Sequence, residues 1–393
     1  MFNEQIISNL SRSSFIRAMF EEGNRLKAIY GEDNVFDFSI GNPEMEPPVE
    51  VNARFIELAN SKNTGMHKYM GNAGFDSTRM SISKSIKNDY GYDVPYTDIV
   101  MSAGAAAGLC VLLKSLLNPK DEVIVFKPYF AEYGFYVMHA NGIVKEASTD
   151  ADFMPDIESF KKTVTAKTKA VIINSPNNPT GVIYTEKTLK ALNDAIVEKE
   201  KECGTDIYVI SDEPYTKIVY DDVKVPCVFK CFNKAIIVNS FSKSLALPGE
   251  RIGYIAIDPK IENSGLLVNI CIFNTRTLGF VNAPALMQKV VESTYDAKVD
   301  VDDYRLRRDT LYDHMTKIGF KIKKPQGAFY LFVKSPTEDE MEFVETAKKY
   351  NILLVPGRGF GVPGYVRMCF CISLKTIRAS LPKLTQLAEE YYK

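Results

Sequence analysis

Apolar residues in this chain fall into short unbroken runs, separated by longer stretches where they recur every three or four positions. The runs, bounded by Gly, Pro, Asn, Asp or Lys, predict buried strands over Asp98–Ser102, Glu122–Phe126, Gly142–Lys145, Ala170–Ile173, Ile207–Ser211, Ala235–Asn239 and Gly253–Ile257. Between most of them lie helix-length segments such as Ala105–Leu117, Glu158–Thr165 and Thr185–Lys199. Strand–helix alternation of this kind predicts an α/β architecture, a mostly parallel seven-stranded sheet with helices on both faces. The last two strands are joined by Ser240–Ile252 alone, about a dozen residues that include Pro248 and Gly249, which is short for a crossover helix. The final strand is therefore expected to run antiparallel.

The flanks read differently. Ser14–Tyr30 carries Phe15, Ile16, Met19, Leu26 and Ile29 at helical spacing, and Gly31 follows as a C-cap. Phe36–Ile40 is a short strand running into a turn at Gly41-Asn42-Pro43, and Pro47-Pro48 opens the next helix. His67–Asn72 is loop-like, and Ala73–Tyr90 reads as a helix. Beyond Ala283 a long amphipathic helix is expected to reach Lys317. Strands Phe320–Lys323, Phe329–Val333, Ile352–Val355 and Val366–Ile372 and helices Asp339–Tyr350 and Leu374–Tyr391 follow it. The pattern predicts a large domain over 46–283 and a smaller α+β domain from 284–393, with 1–45 folding back onto the latter as an N-terminal arm.

Composition narrows the functional classes. The 393 residues are 46% hydrophobic and 25% charged, with a formal net charge of −1, so no global field favours nucleic acid or an anionic membrane. The most apolar stretch, Ala103–Leu117, is interrupted by Lys114 and too short to cross a bilayer. The opening MFNEQIISNL lacks the basic-then-apolar order of a signal peptide, and a cytoplasmic location is expected. Seven cysteines without a CxxC read as reduced core thiols. Three widely spaced histidines offer little to a metal site or a His-based triad, and no metal is expected.

In an open parallel sheet, ligands sit beyond the carboxyl ends of the strands. Here those ends carry Gly104-Ala105-Ala106, Pro128-Tyr129-Phe130, Asn174 to Gly181, Asp212-Glu213-Pro214-Tyr215 and Ser240-Phe241-Ser242-Lys243. Polar and glycine-rich elements thus converge on one rim. Lys243, just past a buried run, can form a Schiff base if its charge is suppressed. Ser240, Ser242 and Arg251 supply donors suited to a phosphate, and the Gly104-Ala105-Ala106 amides at a helix start bind anions. Taken alone, the Lys243 stretch reads first as a solvated surface loop with an ordinary lysine. Gly41 is either a plain turn glycine or a backbone that admits close approach of a carboxylate.

The motifs SIGNP at 39–43, NSPNNPTG at 174–181, SDEPY at 211–215, SFSKSLALPGERIGY at 240–254, PQGAFY at 325–330 and YVRMCF around Arg367 follow one another along nearly the whole chain. In that order and spacing they resemble the fold type I pyridoxal-phosphate enzymes, specifically the class I/II aminotransferases. The resemblance implies pyridoxal 5′-phosphate held by Lys243, which would also move the proton between Cα and C4′. It implies Asp212 facing the pyridine nitrogen, Tyr215 and Asn178 on the ring hydroxyl oxygen, and Phe130 stacked on the ring. Gly104, Ala105, Ala106, Ser240, Ser242 and Arg251 fall to the phosphate, together with Tyr69 from a neighbouring subunit, hence a homodimer. Gly41, Asn178 and Arg367 fall to the substrate carboxylate. For Asn178 an Asn-Pro turn is an equally valid description, and a buried ion pair is the competing one for Arg367. Phe329, Tyr330 and Phe360 lie in matching segments, as pocket lining or as ordinary core.

The function implied is transfer of an α-amino group from an L-amino acid to a 2-oxo acid. Carbon–sulfur β-elimination on the same fold is the alternative, and NNPTGVIY argues for transfer. A cofactor-sensing regulator would need a DNA-binding segment for which the chain has no room. One branch of the family reads dicarboxylic substrates with a lysine at the position of Ala106, absent here. Arg276, in IFNTRTLGF, either reaches across the dimer to a distal carboxylate or is a solvated or interface arginine, so no amino donor is named.

Overall fold

A computed structural model describes residues 2–10, 15–62 and 65–392; Ser14, the expected first residue of the N-terminal helix, lies outside them. The large sheet consists of β1 (Ile99–Ser102), β2 (Glu122–Lys127), β3 (Ile143–Ser148), β4 (Thr168–Asn174), β5 (Tyr208–Asp212), β6 (Ala235–Ser240) and β7 (Gly253–Ile257). Their spatial order is β1-β7-β6-β5-β4-β2-β3. All neighbours are parallel except the two pairs made by β7, which runs against β6 and β1. The short link before β7 has the consequence expected of it.

The central strands read as continuous apolar runs because helices cover both faces. Helices Gly104–Leu116 and Ser264–Thr277 pack Leu109, Leu112, Leu113, Leu267 and Cys271 against one face. On the other, Asp76–Tyr90, Glu186–Cys203 and Ala285–Thr294 contribute Ile82, Ile86, Leu189, Leu192, Met287 and Val290. Edge strand β3 buries only Ala147 and exposes Glu146 beside it, which discourages further pairing.

A second sheet contains β8 (Tyr330–Lys334), β9 (Val355–Pro356) and β10 (Tyr365–Cys369) in the antiparallel order β9-β10-β8. Helices Val301–Lys317, Glu340–Lys348 and Leu374–Glu389 enclose its core. Residues Phe36–Asp37 pair in parallel with Ile352–Leu353, and the Cys369 amide donates to the Phe38 carbonyl, so the start of the chain is bonded to its far end.

Three expectations need correction. The long helix up to Lys317 is two helices, Ala285–Thr294 and Val301–Lys317, the second capped by the Asp300 carboxylate accepting from the Asp303 amide at 3.0 Å. The first buries Met287, Val290 and Val291 in the core of the large sheet, the second Tyr304, Leu311 and Met315 in the small one. The chain must turn between two cores. The strand expected at Phe320–Lys323 reduces to one bridge, Ile322 to Val333. Ile352–Val355 divides into Ile352–Leu353 and Val355–Pro356, which serve different sheets.

Candidate active site

The carboxyl ends of β1, β2, β4, β5 and β6 open into one cavity of about 270 Å³, which is closed by Gly41 from the N-terminal segment and by Tyr330 and Arg367 from the small sheet. Ala105, Ala106, Phe130, Asn178, Asp212, Tyr215, Ser240, Ser242, Lys243 and Arg251 all lie on its wall. Gly104 sits behind, at φ +79°, where a Cβ would come within 2.6 Å of Arg251 Nη2. Only glycine leaves room for that guanidinium. Tyr69 is elsewhere, 91% exposed on a surface hollow with Phe280 and Val281. Arg276 lies on an exposed helix face over the Phe273 ring and does not line the cavity of its own chain.

Asp212 closes β5, so strand alternation aims its side chain away from those of Ser211 and Glu213. Its Oδ2 accepts from the Tyr133 hydroxyl at 2.6 Å, while Oδ1 is buried with no partner. Burial pushes this carboxyl up to about 6, against the opposing pull of the Tyr133 hydrogen bond. Glu213 turns to the far side of the sheet, takes hydrogen bonds from Ser211 and Tyr90, and is pushed by burial to about 7.

Beside Asp212, the Asn174 side chain donates to the Asp212 carbonyl at 2.9 Å and accepts from the Asn178 amide at 2.7 Å. The turn that follows is pinned by Thr180 on Asn177 Oδ1. It closes at Gly181, φ +70°, where a Cβ would strike Pro325 at 2.3 Å. The Asn-Pro turn and an Asn178 side chain presented to the cavity therefore coexist.

Lys243 lies in the short helix Phe241–Ser244 that follows β6 directly, and its Nζ donates to the Gly41 carbonyl at 2.8 Å. Burial lowers its pKa, and the positive charges of Arg251 and Arg367 act in the same direction. Arg251, at φ +52°, donates to the Pro248 carbonyl. Together with Ser240, Ser242 and the unpaired amides that begin helix Gly104–Leu116, it forms a wall of donors suited to a phosphate.

Opposite stands Arg367, 2% exposed. Its Nη1 donates to Asn178 Oδ1 at 3.1 Å and its Nη2 to the Ser39 carbonyl at 2.6 Å, while Nε has no partner. Among the described residues it forms no ion pair, so the competing description of a structural salt bridge does not apply. A buried cation left this way is complementary to a carboxylate brought from outside.

Residues 33–384 match the family model described as aminotransferase class I and II. The chain belongs to this aminotransferase family. A probable aspartate aminotransferase of Methanocaldococcus jannaschii is 32% identical over 90% of this chain and 93% of its own. The aspartate aminotransferase of Thermotoga maritima is 32% identical over 90% and 91%. Among solved structures, an amino transferase from Eubacterium rectale superposes with TM-score 0.96 at 38% identity over 100% of both chains. An aspartate aminotransferase from Thermus thermophilus with maleate gives 0.85 at 27% identity over 95% and 96%. The fold is that of the fold type I pyridoxal-phosphate enzymes, and the activity is amino transfer rather than β-elimination.

One polar member of this aminotransferase's site lay outside every motif in the sequence. Tyr133, in helix Glu132–His139, looks like any aromatic on an amphipathic helix; its place three residues after Phe130, close to a strand end, is the one hint. Asn174 opens the NSPNNPTG motif, but the motif gave its side chain no role, whereas the structure makes it the bridge between Asp212 and Asn178. Tyr330 lines the cavity, whereas Phe329 and Phe360 are core, Phe360 lying 5.0 Å from the Arg367 guanidinium. Among the described residues no helix is long and apolar enough to cross a membrane, and no His, Cys, Asp and Glu side chains gather as metal ligands.

Proposed function

We propose that the cavity takes pyridoxal 5′-phosphate as a Schiff base on Lys243 and passes an α-amino group from an L-amino acid to a 2-oxo acid by a ping-pong route. The residues fit the group. The unpartnered Oδ1 of Asp212 suits a protonated ring nitrogen, the Ser240, Ser242, Arg251 and Ala105-Ala106 wall suits a phosphate, and Phe130 offers a ring face. Tyr215 and Asn178 reach the same space from the side of Arg367. The cofactor supplies an electron sink for the pair left when the Cα–H bond breaks.

The chain's own residues do the rest. Arg367 binds the substrate carboxylate through two N–H groups and orients Cα toward Lys243. Lys243, its ammonium disfavoured by burial, is the nucleophile and then the base that takes and returns the Cα proton. The Gly41 carbonyl holds its Nζ meanwhile. Asp212 stays ionised against a positive ring nitrogen and keeps that proton in place.

The observation that carries this reading is the pairing of two incomplete buried charges, Asp212 and Arg367, across an amine. Absorbance half-reactions of the purified protein with each proteinogenic amino acid test it and identify the donor. Cystathionine releasing pyruvate and thiol faster than any amino acid transfers nitrogen would sink it. The relatives' names make aspartate the first donor to try, although Ala106 supplies no lysine for a distal carboxylate.

The proposal includes a cytoplasmic homodimer in which Tyr69 completes the phosphate site of the partner. Its exposure beside Phe280 on the same surface hollow supports that reading. The two-domain division, 46–283 against 1–45 with 284–393, belongs to it as well, with helix Ala285–Thr294 riding on the large domain.

A further inference from the structure

Tyr330 opens β8 directly opposite Cys369 of β10, so register makes it a diagonal same-face neighbour of Arg367. Three contacts meet on this one side chain. Its ring lies 4.6 Å from the Arg367 guanidinium. Its hydroxyl is 2.9 Å from that of Tyr215. A Cβ on Gly41 would come within 2.4 Å of the same hydroxyl, which explains the glycine as a packing requirement and leaves no room for another side chain there. Tyr330 is 2% exposed, and burial raises its pKa well above the ordinary value, so it stays protonated.

A phenol has one proton to give and lone pairs to accept with. Among the described residues the partner of the Tyr330 hydroxyl is that of Tyr215. When the Tyr215 proton points into the cavity, Tyr330 can only donate to the Tyr215 oxygen. That donation holds the Tyr215 proton toward the ligand and, by polarising the hydroxyl, strengthens what it gives.

We propose that Tyr330 is a positioning residue: its hydroxyl aims the Tyr215 proton at the oxygen of the bound ring, and its ring fixes the plane in which Arg367 meets the substrate carboxylate. This rests on the cofactor reading above. The two roles are separable, because phenylalanine removes the hydroxyl and keeps the ring.

The test is a pH titration of the visible cofactor absorbance, without amino acid, in wild type, Tyr330→Phe, Tyr215→Phe and the double variant. A hydrogen bond to the ring oxygen makes its neighbouring proton easier to lose, so weakening that bond raises the midpoint. Tyr330→Phe is expected to raise it by about half a unit, Tyr215→Phe by more. In the Tyr215→Phe background, Tyr330→Phe should add nothing, since its effect passes through the missing hydroxyl. In turnover, Tyr330→Phe should lower kcat about threefold to tenfold and leave KM for the amino donor within about twofold. Tyr330→Leu, which also loses the ring, should raise that KM about tenfold.

An unchanged midpoint in Tyr330→Phe, or an equal shift with and without the Tyr215 hydroxyl, overturns the proposal while leaving the cofactor reading intact. Absence of a visible band in the wild type defeats the cofactor reading itself, and this one with it. Should Tyr330→Leu fail to fold, the Phe variants alone decide.

Discussion

Arg308 and Arg367 are both almost wholly buried, 0% and 2% exposed, yet they have opposite surroundings. Arg308, in helix Val301–Lys317, is saturated. It makes a two-pronged pair with Asp221 at 2.8 and 2.9 Å, a contact with Asp309 at 2.8 Å and a bond to the Pro325 carbonyl, and it stacks on the Tyr220 ring. Arg367 has one amide oxygen, one carbonyl and an idle Nε. Burying a guanidinium is costly unless its charge is compensated. At Arg308 the fold supplies the compensation; at Arg367 the proposed substrate carboxylate would. The two arginines show that depth of burial says little about role, and that the partner inventory says much.

The contrast can be broken in several places. Lys243→Ala should have the largest effect, with no measurable transamination while the vitamer still binds without a covalent link; undiminished turnover would refute the role of the amine. Arg367→Leu should lower kcat/KM by about a hundredfold to a thousandfold. Its thermal stability should equal or exceed wild type, because an uncompensated buried charge has been removed. Arg308→Leu should do the reverse, costing on the order of 3 kcal/mol in denaturant unfolding while the folded enzyme keeps kcat/KM within about threefold. If Arg367→Leu proves the less stable of the two, the comparison fails.

Asp212 is the anionic counterpart of Arg367 and sharpens the contrast through pH. Its folded-state pKa is raised from 3.8 to about 6, so its contribution to stability is fully present below 3.8 and is lost as pH rises through about 6. A cofactor with a positive ring nitrogen removes that loss. The gain in melting temperature on adding pyridoxal 5′-phosphate should therefore be larger at pH 8 than at pH 5, and Asp212→Asn should flatten the difference. Glu213, raised to about 7, contributes in both proteins and cancels. A wild-type gain that does not vary with pH would remove Asp212 from this role.

Much of this was legible in the residues, for identifiable reasons. Strands buried on both faces leave unbroken apolar runs, and each of the seven was placed within two or three residues of its bounds. The reversed β7 followed from the length of a link. The break near Asp296–Asp300 did not, because apolar spacing continues across it while the core being faced changes. The pairing of Phe36–Asp37 with Ile352–Leu353 has no local signature either, since two residues are too few to alternate. In the site, the residues that gather on the cavity wall were marked by motifs. Tyr330 was left between pocket lining and core and Tyr133 was not noticed at all, because a buried tyrosine meant for a hydroxyl contact looks in sequence like one meant for packing.

The bond between the chain's beginning and its end also orders events in time. Once the segment through Ile257 has left the ribosome, every strand of the large sheet exists, and Lys243 and Asp212 with it. Residues 36–42 still have nothing to pair with, because Ile352, Leu353 and Cys369 are unmade. A nascent chain can thus expose its amine and acid before it owns Arg367, the proposed reader of the substrate carboxylate. Under the proposed roles, competence to discriminate amino acids arrives only after residue 369 is made, when late-made strands capture the waiting segment 36–42.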